Sequence, residues 1–425
     1  MIGTILLLLP ISTYNSKISF IDALFTSTSA FCVTGLTVLD TGSYFSPLGK
    51  IFIILLIQLG GIGIMSLSTF IILILKNQLS ISDKLILNET ISKYGTINVK
   101  TIVKYIFIFT FSFELLGALL LFLKWKLYFQ NSLKCLLYAI FHSISAFCNA
   151  GFSIFSDNLI RFQNDFITVF VITFLIIFGG LGFGVIYELK ELIKSKIKRK
   201  KFIISLHSKI VIITTIFLIL FGILILNITE NSNILKGKTL FGRFLITYFQ
   251  SVTPRTAGFS TINIGNLTYA SLLFIIFLMF VGGSPGSTAG GIKTTTFATL
   301  MLFVKSLLKS RNNIEAFQKT IPNSIFKKSI AIFILSLTLL FILSFLLLYI
   351  EKDKFIPIQI IFEAVSAFGT VGLSTGITPF LKDYSKLILI ILMIVGKTGP
   401  LTIAMSVIEK QDELIKYPNE EISVG

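Results

Sequence analysis

Val33-Thr34-Gly35-Leu36-Thr37 is one of four short strips on which the reading of this chain turns. Its counterparts are Asn149-Ala150-Gly151-Phe152-Ser153, Thr256-Ala257-Gly258-Phe259-Ser260 and Thr370-Val371-Gly372-Leu373-Ser374. Each follows an apolar run bearing small or hydroxyl residues, centres on one glycine and carries a hydroxyl two residues later. The glycines recur every 107 to 116 residues, a regularity that marks an internal repeat. A dehydrated cation needs closely spaced oxygens in place of its water shell, and backbone carbonyls serve if successive ones turn toward one axis. Such a backbone draws on left-handed dihedrals, which glycine adopts without steric penalty. One chain would then supply all four walls of one pore.

The rest of the sequence has the texture of a membrane protein. Of 425 residues, 54% are hydrophobic and 13% charged, about half the charged share of soluble domains. Mean hydropathy is +0.89. Runs such as Leu48–Leu75, Phe166–Tyr187 and Lys328–Ile350 are long enough to cross about 30 Å of hydrocarbon. The segments before the strips (Phe20–Phe31, Lys134–Phe147, Leu240–Thr253 and Pro357–Phe368) make only about 20 Å of helix and cannot cross it. They read as re-entrant half-helices, which membranes tolerate where protein or a watery cavity surrounds the irregular backbone. Their C-termini, carrying partial negative charge, would help hold a cation.

The expected architecture is an all-α polytopic membrane protein with four repeats of helix, re-entrant half-helix with strip, and helix. Residues 1–75 form the first repeat, 76–190 the second, 191–308 the third and 309–408 the fourth, followed by a cytoplasmic tail at 409–425. Eight spans are expected: Ile2–Ser12 (cut short), Leu48–Leu75, Ile102–Leu123, Phe166–Tyr187, Lys209–Leu226, Tyr269–Leu308, Ile325–Tyr349 and Tyr384–Ile408. Met1–Pro10 lacks the basic start and the cleavage site of a signal peptide. The net charge of +17 sits largely in loops: Lys190–Lys201 holds seven basic residues and Lys305–Lys328 six. All segments joining repeats lie on one side if each repeat runs out and back, and their Lys/Arg bias marks that side as cytoplasmic. The motif and fold cues of a nucleic-acid binder are missing. Cys32, Cys135 and Cys148 show no metal-ligand spacing and read as small buried residues.

These residues resemble the Trk/Ktr/HKT superfamily of potassium transporters, and Ktr-type membrane subunits most closely. The carrying motifs are Ser29-Ala30-Phe31-Cys32-Val33-Thr34-Gly35-Leu36, Ser145-Ala146-Phe147-Cys148-Asn149-Ala150-Gly151-Phe152, Pro254-Arg255-Thr256-Ala257-Gly258-Phe259-Ser260 and Ser366-Ala367-Phe368-Gly369-Thr370-Val371-Gly372-Leu373. The resemblance covers essentially the whole chain. It implies a pseudo-fourfold pore with Gly35, Gly151, Gly258 and Gly372 at the narrowest point, and potassium held only by the carbonyls of the strips. It further implies homodimers in the lipid bilayer, seated on a cytosolic KtrA- or TrkA-like ring that binds nucleotides. No covalent cofactor and no enzymatic activity are expected. Sodium-selective relatives tend to carry serine at the first glycine position, so Gly35 favours potassium. No residue decides whether transport depends on sodium.

Within the third repeat, Gly282-Gly283-Ser284-Pro285-Gly286-Ser287-Thr288-Ala289-Gly290-Gly291-Ile292-Lys293-Thr294-Thr295-Thr296 should break its helix. Two readings stand: an obstructing loop under the strips that acts as a gate, which the resemblance also implies, or a rigid packed kink. Lys397 stands in a span, where relatives usually place arginine. It sets the cavity potential or clasps the loop, or else it snorkels; Lys293 invites the same readings. Arg255 is expected to brace the third strip. Asp22 suits the positive end of its half-helix, Glu114 and Glu363 attract cations or bind backbone donors, and His142 is a satisfied buried histidine or a pH sensor. Gly282-Gly283-Ser284-Pro285-Gly286 matches a hydrolase elbow but lacks the strand context and a histidine–acid pair. Gly396-Lys397-Thr398 lacks the leading glycine of a phosphate-binding loop.

Overall fold

The computed structural model describes residues 1–14, 17–63, 99–311, 313–400 and 402. Fourteen α-helices are present among them. A first helix, α1 (Ile2–Leu8), is followed by α2 (Phe20–Phe31), a strip and α3 (Pro47–Ile62). The order then recurs with α4 (Val99–Trp125), α5 (Ser132–Phe147), a strip, α6 (Phe166–Leu181) and α7 (Phe183–Ile197). It recurs again with α8 (Leu206–Thr229), α9 (Leu240–Val252), a strip, α10 (Tyr269–Phe280) and α11 (Thr294–Leu308). Last come α12 (Asn323–Glu351), α13 (Pro357–Phe368), a strip and α14 (Asp383–Thr398). Among the described residues, Lys104–Trp125, Leu206–Thr229 and Asn323–Glu351 are long and apolar enough to span a membrane, and α6 with α7 qualifies as a bent pair.

Capping starts the short helices where the sequence suggests. Ser19, Asn131 and Thr239 each accept a backbone N–H of the first turn, satisfying a donor that the helix leaves orphaned. Asp22, in the first turn of α2, faces the positive end as expected and also binds Lys386 of α14, with Nζ 2.7 Å from Oδ1. Buried acids at the ends of two long helices reach across to start the helix after the strip. Glu230 Oε1 accepts from Thr268 N at 2.9 Å, and Glu351 Oε1 accepts from Lys382 N at 2.8 Å.

Apolar burial runs between consecutive segments. Ala30, Val33 and Ile53 pack with Phe141 and Phe152, while Phe147 and Ile172 pack with Phe249 and Phe259. Phe249 and Ile275 belong to the third segment, and Ile275 joins Phe368 and Leu389 of the fourth in a cluster that also takes in Phe25 of the first. Lipid tails are as apolar as these side chains, so within the membrane the seams are held by close van der Waals packing rather than by escape from water. The last segment therefore packs back on the first, and the Lys386–Asp22 pair lies in that seam.

Three expectations need correction. Phe166–Tyr187 is not one continuous span: it turns by 103° at Gly182, where φ is 91°. A Cβ there would stand 2.7 Å from the Pro285 carbonyl oxygen, and Phe183 N donates to Gly286 O, so the helix bends where the glycine-rich loop arrives. Lys190–Lys209 is not all loop, because α7 runs on to Ile197. The segment Lys305–Lys328 holds a two-stranded hairpin, β1 (Ile314–Ala316) with β2 (Lys319–Ile321), the one sheet among the described residues. The expected ends of the second and last spans (64–75 and 403–408), the linker 76–98 and the tail 409–425 lie outside the described residues.

Candidate functional site

Each half-helix holds its strip by a hydroxyl near its own C-terminus. Ser29 Oγ donates to Leu36 O at 2.7 Å and accepts from Gly35 N at 3.1 Å. Ser145 Oγ donates to Phe152 O at 2.8 Å, Thr253 Oγ1 to Phe259 O at 2.5 Å, and Ser366 Oγ accepts from Gly372 N at 3.1 Å. In sequence they are only the small or hydroxyl residues of the apolar run; their hydroxyls latch the strip.

The strips share one backbone form. Val33, Asn149, Thr256 and Thr370 take positive φ (58°, 58°, 72° and 48°), and so do Gly35, Gly151, Gly258 and Gly372 (92°, 66°, 77° and 88°). Left-handed backbone at the first position is uncommon for the β-branched Val33, Thr256 and Thr370 and costs about 1–2 kcal/mol each, whereas Asn149 tolerates it better and glycine at the third position adopts it without penalty. The strained form persists because the latches and the buried surroundings hold it.

The four glycines meet in cyclic order. A Cβ on Gly35 would stand 3.1 Å from Gly151 Cα, one on Gly151 2.8 Å from Gly258 Cα, one on Gly258 3.1 Å from Gly372 Cα, and one on Gly372 2.9 Å from Gly35 Cα. Each would also overlap the carbonyl oxygen before the next glycine: Ala150, Ala257, Val371 and Thr34 in turn. Side chains cannot fit between these strips. Asn149 and Thr256 touch through their side chains at 3.3 Å, with either orientation of the amide.

Under the ring runs the chain from Val281 to Lys293. Its two ends pair, with Gly282 N donating to Ile292 O at 2.8 Å. Its middle is tied to the second segment through Ser284 N to Gly180 O (3.0 Å) and Thr288 Oγ1 to Gly179 O (3.1 Å). The fourth segment holds it through Gly291 N to Gly396 O (3.2 Å) and Lys397 Nζ to Thr288 O (2.7 Å). Gly290 abuts the Thr370 side chain at the start of the fourth strip, leaving no room for a Cβ. Gly282, Gly283, Ser284, Gly286, Ser287, Thr288, Gly290, Gly291 and Lys293 thus form one compact crossing, with Lys397 at its apex. Lys293 Nζ turns inward to Ala289 O at 2.7 Å. Arg255, from the third strip, places NH2 3.5 Å from Gly282 O at the root of the crossing.

The model of the family TrkH, described as cation transport proteins, matches residues 2–417. The chain belongs to the TrkH family. The Ktr system potassium uptake protein B of Bacillus subtilis is 39% identical, covering 100% of this chain and 94% of that protein. The potassium/sodium uptake protein NtpJ of Enterococcus hirae is 37% identical, covering 100% and 94%. The crystal structure of the potassium transporter TrkH from Vibrio parahaemolyticus matches with a TM-score of 0.71 at 19% identity, over 92% of this chain and 79% of that one. That likeness shows the fold. Family membership and the apolar helices make this a multi-pass membrane protein of a transport family.

Within this TrkH-family chain, the remaining candidates have hydrogen-bond partners or caps of their own. Cys32 and Cys148 are buried and cap α2 and α5. Glu114, 5% exposed, accepts from Gln58 Nε2 at 3.1 Å and lies beside Cys148 Sγ. His142 is satisfied on both ring nitrogens. The Tyr138 carbonyl can only accept, so Nδ1 donates to it at 2.8 Å, leaving Nε2 for the Ser153 hydroxyl at 3.0 Å. Ser284 Oγ pairs with Thr294 Oγ1 at 3.2 Å. Outside the spans, Asp40 Oδ2 accepts from Ser156 Oγ at 2.5 Å and ties together the loops that follow the first two strips. Burial raises its carboxyl, but hydrogen bonds from Ser156, Ser43 and Gly42 with the Lys50 charge outweigh that and hold it below the ordinary aspartate value.

A second repeated motif escaped the sequence reading. Gly60-Gly61-Ile62-Gly63, Gly179-Gly180-Leu181-Gly182 and Gly396-Lys397-Thr398-Gly399 end their helices alike, with φ of 84°, 91° and 89° at the last glycine. At the first glycine of each, a Cβ would overlap the carbonyl oxygen that ends the half-helix: Phe31, Phe147 and Phe368. In the third segment the matching stretch is Gly282-Gly283-Ser284-Pro285, the root of the crossing, so Lys397 occupies the place that Gly61, Gly180 and Gly283 hold elsewhere.

Proposed function

We propose that this chain is the membrane subunit of a bacterial potassium uptake system of the Ktr kind, acting in the cytoplasmic membrane. Its four repeats surround one pseudo-fourfold pore, with the strips Val33–Leu36, Asn149–Phe152, Thr256–Phe259 and Thr370–Leu373 as the ion filter. The observation that carries this reading is the cyclic contact of the four glycines. Left-handed residues at the first and third positions turn peptide planes that would otherwise alternate, so carbonyls gather on one side, as replacing an ion's water requires. Uptake follows the electrochemical gradient, to which the membrane potential adds about 2.3 kcal/mol per charge per 100 mV. Glycine in all four positions favours potassium over sodium as cargo.

The crossing Gly282–Lys293 is the gate and Lys397 its clasp, with the expected stretch Thr294–Thr296 forming the first turn of α11 instead; tethers to two neighbouring segments support this, since releasing them frees the loop without unfolding a helix. A homodimer on a cytosolic nucleotide-binding ring, as implied for Ktr-type subunits, would supply the release. Expression in a host lacking its own potassium uptake tests the function. Growth at low potassium with tracer uptake of potassium over sodium is expected; uptake of sodium alone would make the chain a sodium channel instead. Deleting Gly286–Gly291 is expected to raise potassium flux about tenfold, the effect of about 1.4 kcal/mol on an open–closed balance. Lost transport with normal folding would refute the gate.

A further inference from the structure

Three residues before each latching hydroxyl stands a buried polar residue: Thr26, His142, Gln250 and Glu363, none more than 2% exposed. In three of the four segments it reaches the hydroxyl two residues beyond the strip glycine, whose recurrence is visible in the sequence. His142 Nε2 lies 3.0 Å from Ser153 Oγ, and Gln250 Nε2 3.4 Å from Ser260 Oγ and Thr261 Oγ1. Thr26 Oγ1 has no partner among the described residues.

Glu363 stands apart in strength. Its Oε1 accepts from Ser374 Oγ (2.7 Å), Thr375 N (2.9 Å) and Thr375 Oγ1 (3.3 Å), and its Oε2 from Thr378 Oγ1 (2.7 Å). A carboxylate offers about four lone-pair sites and no donor, so these four donors fill it. These four hydrogen bonds outnumber those that His142 and Gln250 make to the corresponding stretches of their segments. The outer turn of the third segment leans on the same stretch, since a Cβ on Gly265 would stand 2.9 Å from Thr375 O.

We infer that Glu363 is a specificity-determining positioning residue, whose side chain pins Ser374–Thr378 and thereby fixes the fourth wall of the glycine ring. This rests on the strips being the ion filter. A wall held from behind cannot close around a smaller ion, so sodium is left short of oxygens. The four braces are uneven: the fourth wall is pinned by four hydrogen bonds, the second and third by one or two, and the first by none.

The test is the potassium-to-sodium uptake ratio of the full-length protein in proteoliposomes, alongside thermal stability. Glu363→Ala is expected to lower the ratio about tenfold, equivalent to about 1.4 kcal/mol. Glu363→Gln is expected to lower it about threefold: it keeps one acceptor for Ser374 and Thr375, and Thr378 can turn to accept from the new amide. Thr26→Ala should leave the ratio unchanged. A purely structural role would lower stability in the Glu363 variants with the ratio intact, and that result overturns the inference; so does an equal loss in Thr26→Ala. Should Glu363→Ala fail to fold, Glu363→Gln carries the test. A wild-type protein without cation uptake would instead defeat the filter reading itself.

Discussion

Gly35→Ser is expected to lower selectivity for potassium over sodium about tenfold, with less effect on whether ions pass at all. At φ 92° a side chain is strained whatever the space around it, at about 1–2 kcal/mol for an L-residue in left-handed backbone. Space is also lacking. The new Cβ would overlap Ala150 O and press on Gly151 Cα, so either the first strip relaxes away from its backbone form or the second retreats. Both movements displace carbonyl oxygens, and about 1.4 kcal/mol of differential ion stabilisation is a tenfold change. Reversal potentials or paired tracer uptakes would measure it. Gly237→Ser separates the two causes: its φ is 73° with nothing within 4 Å, so strain is present without displacement of an oxygen. Unchanged selectivity in Gly35→Ser, or an equal loss in Gly237→Ser, would remove the ring from the account of selectivity.

The strips and the half-helices were legible in the sequence because they depend on local residue types. A glycine centre, a hydroxyl at fixed spacing and a run too short to cross a bilayer all leave marks in consecutive residues. The boundaries Phe20–Phe31 and Pro357–Phe368 fall where they were read. The bend at Gly182 was illegible, because hydropathy runs unbroken through Leu181-Gly182-Phe183 and the cause is a loop about a hundred residues further on. The clasp pairing of Lys397 with Thr288 and the seam pairing of Lys386 with Asp22, 364 residues apart, belong to the same class. For Lys397 the sequence pointed to the loop but not to the Thr288 carbonyl, and for Lys386 it pointed to no partner. The braces were hidden differently. Thr26, His142, Gln250 and Glu363 hold equivalent places yet share no chemistry beyond polarity, so no identity pattern betrays them. The glycine motif ending at Gly63, Gly182 and Gly399 was in plain sight, but its meaning, close approach to the carbonyl that ends each half-helix, exists only in three dimensions.

Lys397→Met is expected to raise basal potassium flux about tenfold when the chain is expressed alone. Lys397 Nζ donates to Thr288 O at 2.7 Å, and a hydrogen bond from a charged group contributes about 1.5–3 kcal/mol. Tethers from Thr288 Oγ1 to Gly179 O and from Gly291 N to Gly396 O survive the change, so the loop is loosened rather than freed, which places the effect at the lower end of that range. Methionine matches the length of the lysine stem and removes a half-buried charge, so the fold should tolerate it. Raised flux alone does not identify the clasp, because removing a positive charge from the ion path would also favour cations. A double-mutant cycle separates the two. With Gly286–Gly291 deleted, Lys397 has no Thr288 strand in place to hold. If it acts as a clasp, adding Lys397→Met to the deletion changes nothing further. If it acts through its field, the charge still lies in the path, and the second change multiplies the first. Lys397→Arg, which retains charge and donors, should keep the wild-type flux on either account. A fall in flux in well-folded Lys397→Met would exclude both.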